Sequence, residues 1–467
     1  MTSIPSDDKN CKQLDQTLLS YGFLNTGQSV VIQKPGHIVD NFRGKLSNEN
    51  NSGFRLTIEE PDGQYHLNKI KEVKLLTSNY LLHVNKLLIT SISREESKIE
   101  IFQFNTEGFS TNEIGYYRLI VPLKKEISFD NQLTPFRYST EKLDSPRCLR
   151  ISYNKSTLDL FIHQGQGKKW FLIIDSTSYF KFADFQNYSY SAMLALGYLS
   201  GTFSRDEAYF FMYKNSDLET PDHIYYCQFG RSMSTHYTPI LTNGHRMITD
   251  QKEAEKFSEL LQPLSPEQFS KLCQWLYDSR EFTGVVLLII ESMASSLIMM
   301  PAGLAIALES LTEILVENHT DKLNPVKDKQ QAKKIRSELL AVLDFNKTGI
   351  DEEGFNIIKS RIMDYNKPTN TAKLTKPFQM LNIKLSSEDK KAIGHRNDFL
   401  HGNIPFLNDN DQNIPVGGTY YIIIRLYTLL AALILKKIGF DGLIVNYPKL
   451  LEYAFDKSLD EEIFRKI

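Results

Sequence analysis

Short segments in which apolar and polar residues alternate run from about residue 20 to residue 174, and turn residues separate them. Alternation with a period of two is typical of strands that bury one face. The polar run 48–53 (NENNSG), Pro61-Asp62-Gly63 and Gly165-Gln166-Gly167 fit the turns. The predicted strands are Ser29–Ile32, Phe54–Glu59, Leu75–Ser78, Leu81–Val84, Lys98–Asn105, Tyr116–Pro122, Cys148–Tyr153, Leu158–Gln164 and Lys169–Ile174. Because no regular helices alternate with them, we predict an antiparallel sandwich or barrel-like domain rather than a doubly wound nucleotide-binding fold.

The period changes at Phe182–Ser200, where apolar residues recur at helical spacing before Gly201. We expect one amphipathic helix there, followed by strands at Ala208–Tyr213 and His223–Phe229. Residues 165–169 (GQGKK) lack the spacing of a phosphate-binding loop and lead into a strand. We therefore interpret them as a hairpin turn.

From about Thr249 onward the pattern is helical, with a start signal at Ser265-Pro266 and a stop signal at Gly439. The predicted helices are Gln251–Leu261, Pro266–Ser279, Phe282–Met299, Gly303–Glu317, Val326–Asp344, Asp351–Asn366, Ala372–Leu381, Ser387–His401, Thr419–Ile438 and Tyr447–Phe455. The chain is thus predicted to be an α+β protein of two domains. Residues 1–248 form an antiparallel β-rich domain with the helix at 182–200, and residues 249–467 form an all-helical bundle.

Composition restricts the chemistry that this chain can perform. Its 467 residues carry a formal charge of −2, so a protein acting on nucleic acid would need a local basic patch. The four cysteines lie far apart without a C-x-x-C pair, and the histidines show no metal-ligand spacing. We therefore predict no metal site and no cofactor.

Neither a signal peptide nor a membrane span is expected. Residues 1–10 are polar and acidic. The apolar run Phe282–Ala307 contains Glu291 and Pro301. The run Tyr420–Leu435 contains Arg425 and is shorter than the roughly 20 residues that a bilayer span requires. We interpret both runs as core helices of a cytoplasmic protein.

Candidate chemistry concentrates in Ser386–Gly402, which reads SSEDKKAIGHRNDFLHG. Ser386 or Ser387 can cap a helix there, and Gly402 suits its end. At about 100° per residue, five residues would share one helix face. They are Ile393, Arg396, Asn397, Leu400 and His401. Since an unpaired guanidinium is costly to bury, Arg396 requires an ion-pair partner or a function.

Two such helices packed face to face would enclose a cleft that contains two arginines and two histidines. Histidine titrates near neutral pH and can move the proton of a ribose 2′-hydroxyl, while arginine stabilises the charge that develops on phosphorus. These groups suffice for RNA cleavage without a metal ion.

The run from Arg396 to His401 (RNDFLH) resembles the R-N-x-x-x-H form of the R-x(4–6)-H motif of HEPN domains. HEPN domains are all-helical, usually dimeric modules, and many are RNases of toxin–antitoxin, CRISPR and anti-phage systems. A large β-rich region ahead of such a module is similar to the ApeA-type anti-phage HEPN proteins. The resemblance covers about Phe282–Leu451.

The resemblance implies a cytoplasmic, metal-independent endoribonuclease that cleaves cellular RNA such as tRNA during phage infection. It implies a homodimer or a higher even oligomer, with the β-rich domain as sensor of a phage-derived trigger. Arg396, Asn397 and His401 would be the catalytic residues, with Asn397 orienting the histidine or the phosphate. A position in the last helical turn favours protonated His401, which suits a general acid, while the partner's histidine serves as base.

Other residues are candidates for supporting roles. Glu309, on a largely apolar predicted helix, is placed to orient Arg396 by ion pairing, or it is an edge residue. Asp398 lies off the shared face, where it caps or pairs nearby. Four lysines are candidates for the basic patch that RNA requires, or for a solvated helix face. They are Lys333, Lys334, Lys390 and Lys391.

Three alternatives stay open at this point. Arg396 can be ion-paired in a core, with His401 capping its helix. The helical region can be a non-catalytic HEPN-type module that binds a nucleotide or a protein, with the β domain reading a ligand. The β domain can instead bind carbohydrate or peptide and be dimerised by the helices.

Overall fold

The computed structural model describes residues 9–33, 41–48, 53–59, 72–92, 96–134, 139–140, 143–144, 148–154, 156–317, 324–400, 416–455 and 458–467. The chain divides into two compact units, Met1–Ser279 and Arg280–Ile467. Antiparallel strands dominate the first unit and helices the second, which confirms the predicted α+β class. The first unit extends past the predicted boundary at 248/249, because it includes helices Gln251–Leu260 and Pro266–Asp278.

The first unit contains a closed barrel of six antiparallel strands. They are β1 Gln28–Gln33, β2 Asn41–Asn48, β3 Phe54–Glu59, β4 Val73–Leu76, β5 Leu81–Ile92 and β6 Glu96–Thr106. Their order around the barrel is β1, β2, β3, β6, β5 and β4, and β4 pairs with β1. On β6 the inward residues Ile99, Ile101 and Phe104 are buried. Alternate burial is the pattern that predicts most of these strands, β2 excepted.

Helix α1 (Lys9–Asn25) packs against the barrel. Its residues Leu14, Tyr21 and Leu24 are buried in the same hydrophobic cluster as Leu56 and Phe104 of the barrel. The sequence pattern does not predict α1, because the first residues of the helix are polar. Tertiary packing of its later turns supplies the stability that propensity lacks.

The barrel sheet continues beyond β6 into a second set of antiparallel strands. The remaining strands of this unit are β7 Ile114–Leu123, β8 Ser139–Thr140, β9 Leu143–Asp144, β10 Cys148–Tyr153, β11 Ser156–Gln164, β12 Trp170–Ser176, β13 Phe180–Lys181, β14 Thr202–Phe203, β15 Ala208–Tyr213, β16 His223–Cys227 and β17 Met233–Ser234. From β6 the order is β16, β15, β7, β12, β11 and β10. Gly165 N donates to Lys169 O at 2.8 Å between β11 and β12, which confirms the predicted hairpin turn.

Helix α2 (Phe182–Ser200) covers this sheet with aromatic side chains. Phe185 stacks on Tyr117 with ring centroids 5.3 Å apart, and Phe182 meets Phe210 edge-on at the same distance. Gly201, at φ 71°, ends the helix in the left-handed conformation, as glycine at this position predicts. Helices α3 (Gln251–Leu260) and α4 (Pro266–Asp278) complete the unit.

The second unit is a helical bundle with a small two-stranded sheet. Its elements are α5 Arg280–Met293, α6 Met299–Val316, α7 Lys329–Phe345, α8 Glu352–Asp364, α9 Asn370–Met380, α10 Ser387–Gly394, α11 Arg396–Leu400, α12 Val416–Lys437, β18 Leu443–Val445, α13 Tyr447–Leu450 and β19 Phe464–Lys466. Strands β18 and β19 are antiparallel. Helix α12 is the core element, since every residue from 421 to 435 is buried.

Two helices in the described part of the chain are long and apolar enough to cross a membrane, Met299–Val316 and Gly418–Lys437. Half of the first and 89% of the second are buried within the protein. They overlap the apolar runs Phe282–Ala307 and Tyr420–Leu435, which we interpret from the sequence as core helices.

Candidate functional site

Helix α10, which leads to the candidate motif, begins at a serine cap. The Ser386 hydroxyl accepts a hydrogen bond from Asp389 N at 3.1 Å, and Ser386 N donates to Asp389 Oδ2 at 2.9 Å. This reciprocal capping box satisfies two backbone amides of the first turn. Because the Asp389 side chain is only 1% exposed, the cap also belongs to the interior of the unit.

The helix predicted over Ser387–His401 is interrupted in the structure. Helix α10 ends at Gly394, and α11 begins at Arg396. His395 lies at the junction, with its Nδ1 atom 3.0 Å from Asp398 Oδ2. The interruption is one residue long, because His395 keeps αR dihedrals and its N–H still donates to Lys391 O at 3.1 Å. The expected shared face is not tested, since His401 and the side chains of Asn397 and Leu400 lie outside the described residues.

Arg396 is buried next to a carboxylate of another helix. Its side chain is 4% exposed, and Nη1 lies 3.0 Å from Glu309 Oε1 on α6. The two atoms are close but not aligned, since Nη1 has no hydrogen-bond partner among the described residues. Glu309 itself is 48% exposed. The structure thus brings together the arginine and the carboxylate that the sequence proposes as its positioning partner.

Three arginines of the described chain have nearly buried side chains, and each contacts a carboxylate. Arg118 donates to both oxygens of Asp175, at 2.7 and 2.8 Å, and Arg425 Nη1 donates to Asp389 Oδ1 at 2.9 Å. Those two carboxylates are buried with their arginines. Arg396 differs, because its carboxylate partner remains half exposed and poorly aligned. Of the three arginine–carboxylate pairs, the one between Arg396 and Glu309 is therefore expected to be the weakest.

The buried Arg425–Asp389 pair belongs to a network of four charged side chains, of which the other two are partly exposed. Arg425 Nη2 donates to Glu461 Oε1 at 2.9 Å, and Arg465 Nη1 lies 3.0 Å from Asp389 Oδ2. Two positive and two negative groups therefore balance one another across α10, α12 and the C-terminal segment. The network fixes the start of α10, the helix from which the candidate motif continues.

The Arg425 guanidinium also lies over the Tyr421 ring, 4.9 Å from its centroid. Burial raises the pKa of Tyr421 to about 12, although the positive charge of Arg425 opposes the rise. The phenol is therefore neutral at physiological pH, and its hydroxyl lies 3.2 Å from Glu388 Oε2. Tyr421 therefore packs as a neutral ring against the Arg425 guanidinium.

The four candidate lysines lie on two helices and are exposed. Lys333 and Lys334 are on α7, which packs against α8. Lys390 and Lys391 are on α10, and Lys391 Nζ lies 2.7 Å from Glu388 Oε1. Asp398, half exposed, contacts His395 as described above. His401 and the side chain of Asn397 lie outside the described residues.

Sequence reasoning missed the Asp389 network. Its one sequence signal is Arg425, a lone charge inside the apolar run of α12. A buried arginine requires carboxylates nearby, but spacing along the chain does not identify Asp389 or Glu461 as those carboxylates.

The first unit contains a buried carboxylate of its own. Glu207 is 1% exposed; its Oε1 accepts from Asn48 Nδ2 at 2.6 Å, and its Oε2 from the Tyr209 hydroxyl at 3.2 Å. Burial raises the pKa of Glu207, although these two hydrogen bonds oppose the rise. Asn25 Oδ1 accepts from the same Tyr209 hydroxyl at 2.9 Å. The cluster joins α1, β2 and β15 in one polar core.

Comparison with known proteins identifies no relative. No family model, curated protein or solved structure matches the chain. Within the residues that the structure describes, no three His, Cys, Asp or Glu side chains are grouped so that they could hold a metal ion.

Proposed function

We propose that this chain is a cytoplasmic, metal-independent endoribonuclease of the HEPN type that acts in anti-phage defence. The R-N-x-x-x-H run and its place in a helical unit after a β-rich unit support the proposal. In this scheme two copies bring their motifs together over cellular RNA such as tRNA, and the barrel unit responds to a phage-derived trigger.

The observation that carries the proposal is the environment of Arg396. A guanidinium used only for stability is expected to have a buried and aligned carboxylate, as Arg425 has in Asp389. Arg396 is equally buried, yet Glu309 is half exposed and not aligned with Nη1. A phosphate can therefore replace Glu309 at Arg396, because the displaced carboxylate already contacts water.

The proposed reaction is cleavage by the neighbouring ribose. The histidine of one copy takes the proton of the 2′-hydroxyl, and the 2′-oxygen attacks phosphorus. The 5′-oxygen leaves with a proton from the protonated histidine of the other copy, and a 2′,3′-cyclic phosphate remains. His401 supplies both histidines, Arg396 stabilises the charge on phosphorus, and Asn397 holds the orientation. The four exposed lysines and Asp398 support substrate binding and the motif.

The test is digestion of purified total RNA by the full-length protein in EDTA, with and without extract of phage-infected cells. We expect fragments that end in 2′,3′-cyclic phosphate. Arg396→Ala and His401→Ala are each expected to lower the cleavage rate at least about 100-fold, since they remove charge stabilisation or proton transfer. The matched control is His395→Ala, which changes the neighbouring histidine and is expected to retain cleavage.

Two results would count against this function. Cleavage that survives Arg396→Ala would show that another residue or a contaminant is responsible. Absence of fragments under both conditions, together with binding of RNA or nucleotide, would favour the alternative of a non-catalytic HEPN-type binding module.

A further inference from the structure

Basic residues gather at one end of the sheet in the first unit. Residues 123–126, 165–169, 204–206 and 230–232 are far apart in sequence, yet they lie at or just beyond the ends of the neighbouring strands β7, β12, β15 and β16. These four segments hold six basic residues and two acidic ones, in a chain whose formal charge is −2. We call the basic residues the basic edge; they are Lys124, Lys125, Lys168, Lys169, Arg205 and Arg231.

The register of β12 and β7 brings lysines of two distant segments together. Trp170 pairs with Leu123 in this antiparallel ladder. Lys169 directly precedes Trp170, and Lys124 directly follows Leu123. Because the two strands run in opposite directions, both lysines lie at the same end of the pair, about one strand spacing of 4.8 Å apart.

Side-chain contacts extend the basic edge across β15 and β16. Lys124 Nζ lies 3.1 Å from Asp206 Oδ2, which joins the end of β7 to the residues before β15. Arg205 Nε donates to Arg231 O at 2.8 Å, which joins those residues to the segment after β16. The basic edge therefore crosses four neighbouring strands, a span of about 14 Å at 4.8 Å per strand.

The positive charge of the basic edge is largely uncompensated. Lys124 is ion-paired with Asp206, but none of the other basic residues at this edge is ion-paired with a carboxylate that the structure describes. All of them are exposed except Arg205, which is half-buried. Like charges repel when a fold brings them together, so the cluster favours the binding of an anion over the stability of the unit.

Lys168 also occupies an unfavourable backbone conformation. It lies in the turn between β11 and β12 at φ 59°, directly after Gly167 at φ 69°. The left-handed region suits glycine or asparagine, and other residues lose stability there. Lys168 thus lowers the stability of the turn while it adds a charge to the basic edge.

We propose that the basic edge binds the phosphate backbone of a nucleic-acid strand. A nucleic acid carries one phosphate per nucleotide, so it presents a row of negative charges to this row of cations. A membrane fits less well, because stable attachment to lipid requires apolar side chains or a lipid anchor beside the charges. The four segments, all of which the structure describes, expose no large apolar side chain. The inference goes beyond the proposed function, since it concerns the first unit and does not depend on RNA cleavage.

The test is binding of fluorescein-labelled oligomers of about 12 nucleotides to the full-length protein, measured by fluorescence anisotropy in about 50 mM salt. The probes are a 2′-O-methyl RNA, which has no free 2′-hydroxyl to attack phosphorus, and DNA of the same sequence. Because phosphate contacts do not read the base or the sugar, we expect both probes to bind with similar affinity. Failure to cleave total RNA would refute the proposed nuclease and leave this binding intact.

The variant K168N/K169Q removes two charges from the turn. We expect its affinity to fall at least about tenfold, and the slope of log K against log salt to become shallower by about 1.4, since each contact with a single strand contributes about 0.7. The urea midpoint of the first unit, followed by tryptophan fluorescence, should not fall, because asparagine suits the left-handed position better than lysine. K125Q/R231Q removes two charges outside the turn and is expected to lower the affinity by a similar factor.

The matched control is K181Q/K214Q, which removes two exposed lysines at the opposite end of the same sheet and should leave the affinity unchanged. The inference would be overturned if neither oligomer bound in about 50 mM salt. It would also be overturned if the control lost as much affinity as K168N/K169Q, or if both edge variants bound as the wild type does. Binding of phosphatidylserine vesicles that exceeds binding of the oligomers and is lost in K168N/K169Q would assign the basic edge to a membrane instead.

Discussion

Asp389 is the residue at which the packing of the helical unit can be tested most sharply. Its Oδ1 atom accepts from Arg425 Nη1 at 2.9 Å, and its Oδ2 atom accepts from Ser386 N and lies 3.0 Å from Arg465 Nη1. The substitution Asp389→Asn keeps the shape and volume of the side chain. It removes the negative charge and places an amide donor where guanidinium donors already converge.

The expected loss is large because both charges of the main pair are buried. Breaking a buried ion pair by removing one partner destabilises a protein by about 3–5 kcal/mol, since the other charge is left unpaired. Glu461 remains on Arg425 and is partly exposed, which favours the lower end of that range. With a urea m-value of about 2 kcal/mol/M, the midpoint of the helical unit should fall by about 1.5 M.

The two units can be followed separately. The chain has two tryptophans, Trp170 and Trp275, and both belong to the first unit. Tryptophan fluorescence therefore reports unfolding of the first unit. Hydrogen exchange followed by mass spectrometry reports α10 and α12, whose amides should exchange about 100-fold faster or more in Asp389→Asn, since 1.4 kcal/mol is a factor of ten. We expect Asp389→Asn to leave the urea midpoint measured by tryptophan fluorescence unchanged.

Asp441→Asn is the control substitution in the same unit. Asp441 also contacts a basic side chain, Lys436, but it lies on the surface, so its replacement should leave exchange in α10 and α12 unchanged. If Asp389→Asn behaved like Asp441→Asn, the network would contribute nothing to stability, and its proposed role in fixing α10 would be refuted.

Two further predictions concern Glu207 and Gly197 of the first unit. Because the pKa of Glu207 is raised, the folded state binds the carboxyl proton more tightly than the unfolded chain does. The unfolding free energy of the wild type should therefore fall as pH rises from 4.5 through the raised pKa. This fall is measured relative to Glu207→Gln, which has no such proton. Urea titrations across pH by tryptophan fluorescence check this, and a difference that stayed constant with pH would contradict it. A Cβ at Gly197 would lie 2.7 Å from Phe203 Cβ, so Gly197→Ala should destabilise the protein by about 1 kcal/mol net. Gly284 has open space around it, so Gly284→Ala should stabilise its helix. Equal shifts of the urea midpoint in the two variants would contradict the steric reason.

Sequence pattern predicts the segments whose local composition and flanking turn residues agree with their burial. The strands Phe54–Glu59, Cys148–Tyr153 and Ala208–Tyr213 and the helix Phe182–Ser200 have the bounds that their residues predict. Each of these segments is rich in aromatic or branched residues and is bounded by turn residues or glycine, so local sequence and tertiary burial agree.

The elements that the pattern misses depend on distant contacts. Strand β2 is largely polar and contains Gly44, yet it closes the barrel between β1 and β3. A Cβ at Gly44 would lie 2.9 Å from Thr57 O, so close strand approach requires the glycine that makes the segment resemble a loop. Pairing between β1 and β4 is likewise set by barrel closure, to which no local period corresponds.

Some features of the candidate site could likewise be predicted from the sequence, and others could not. The pairing of Arg396 with Glu309 could be anticipated, because a polar residue on an apolar face of each helix requires a partner. The one-residue interruption at His395 could not, because a capped, amphipathic run of residues predicts one uninterrupted helix. The Asp389 network joins segments far apart in sequence, and only the fold brings them together.

Two ion pairs of the helical unit, Arg425–Asp389 and Arg396–Glu309, differ in a way that suits the proposed site. Asp389 is fixed by Arg425, Arg465 and the capping box, so the start of α10 is held rigidly. Helix α11, which follows α10 after one residue, packs against α6 and carries Arg396 into the interior. The cation is therefore held in place by the fold, while its partner Glu309 remains half in water. A preorganised guanidinium whose carboxylate is easily displaced loses little on exchanging that carboxylate for a phosphate, and this is the property that a catalytic arginine requires and a structural arginine does not.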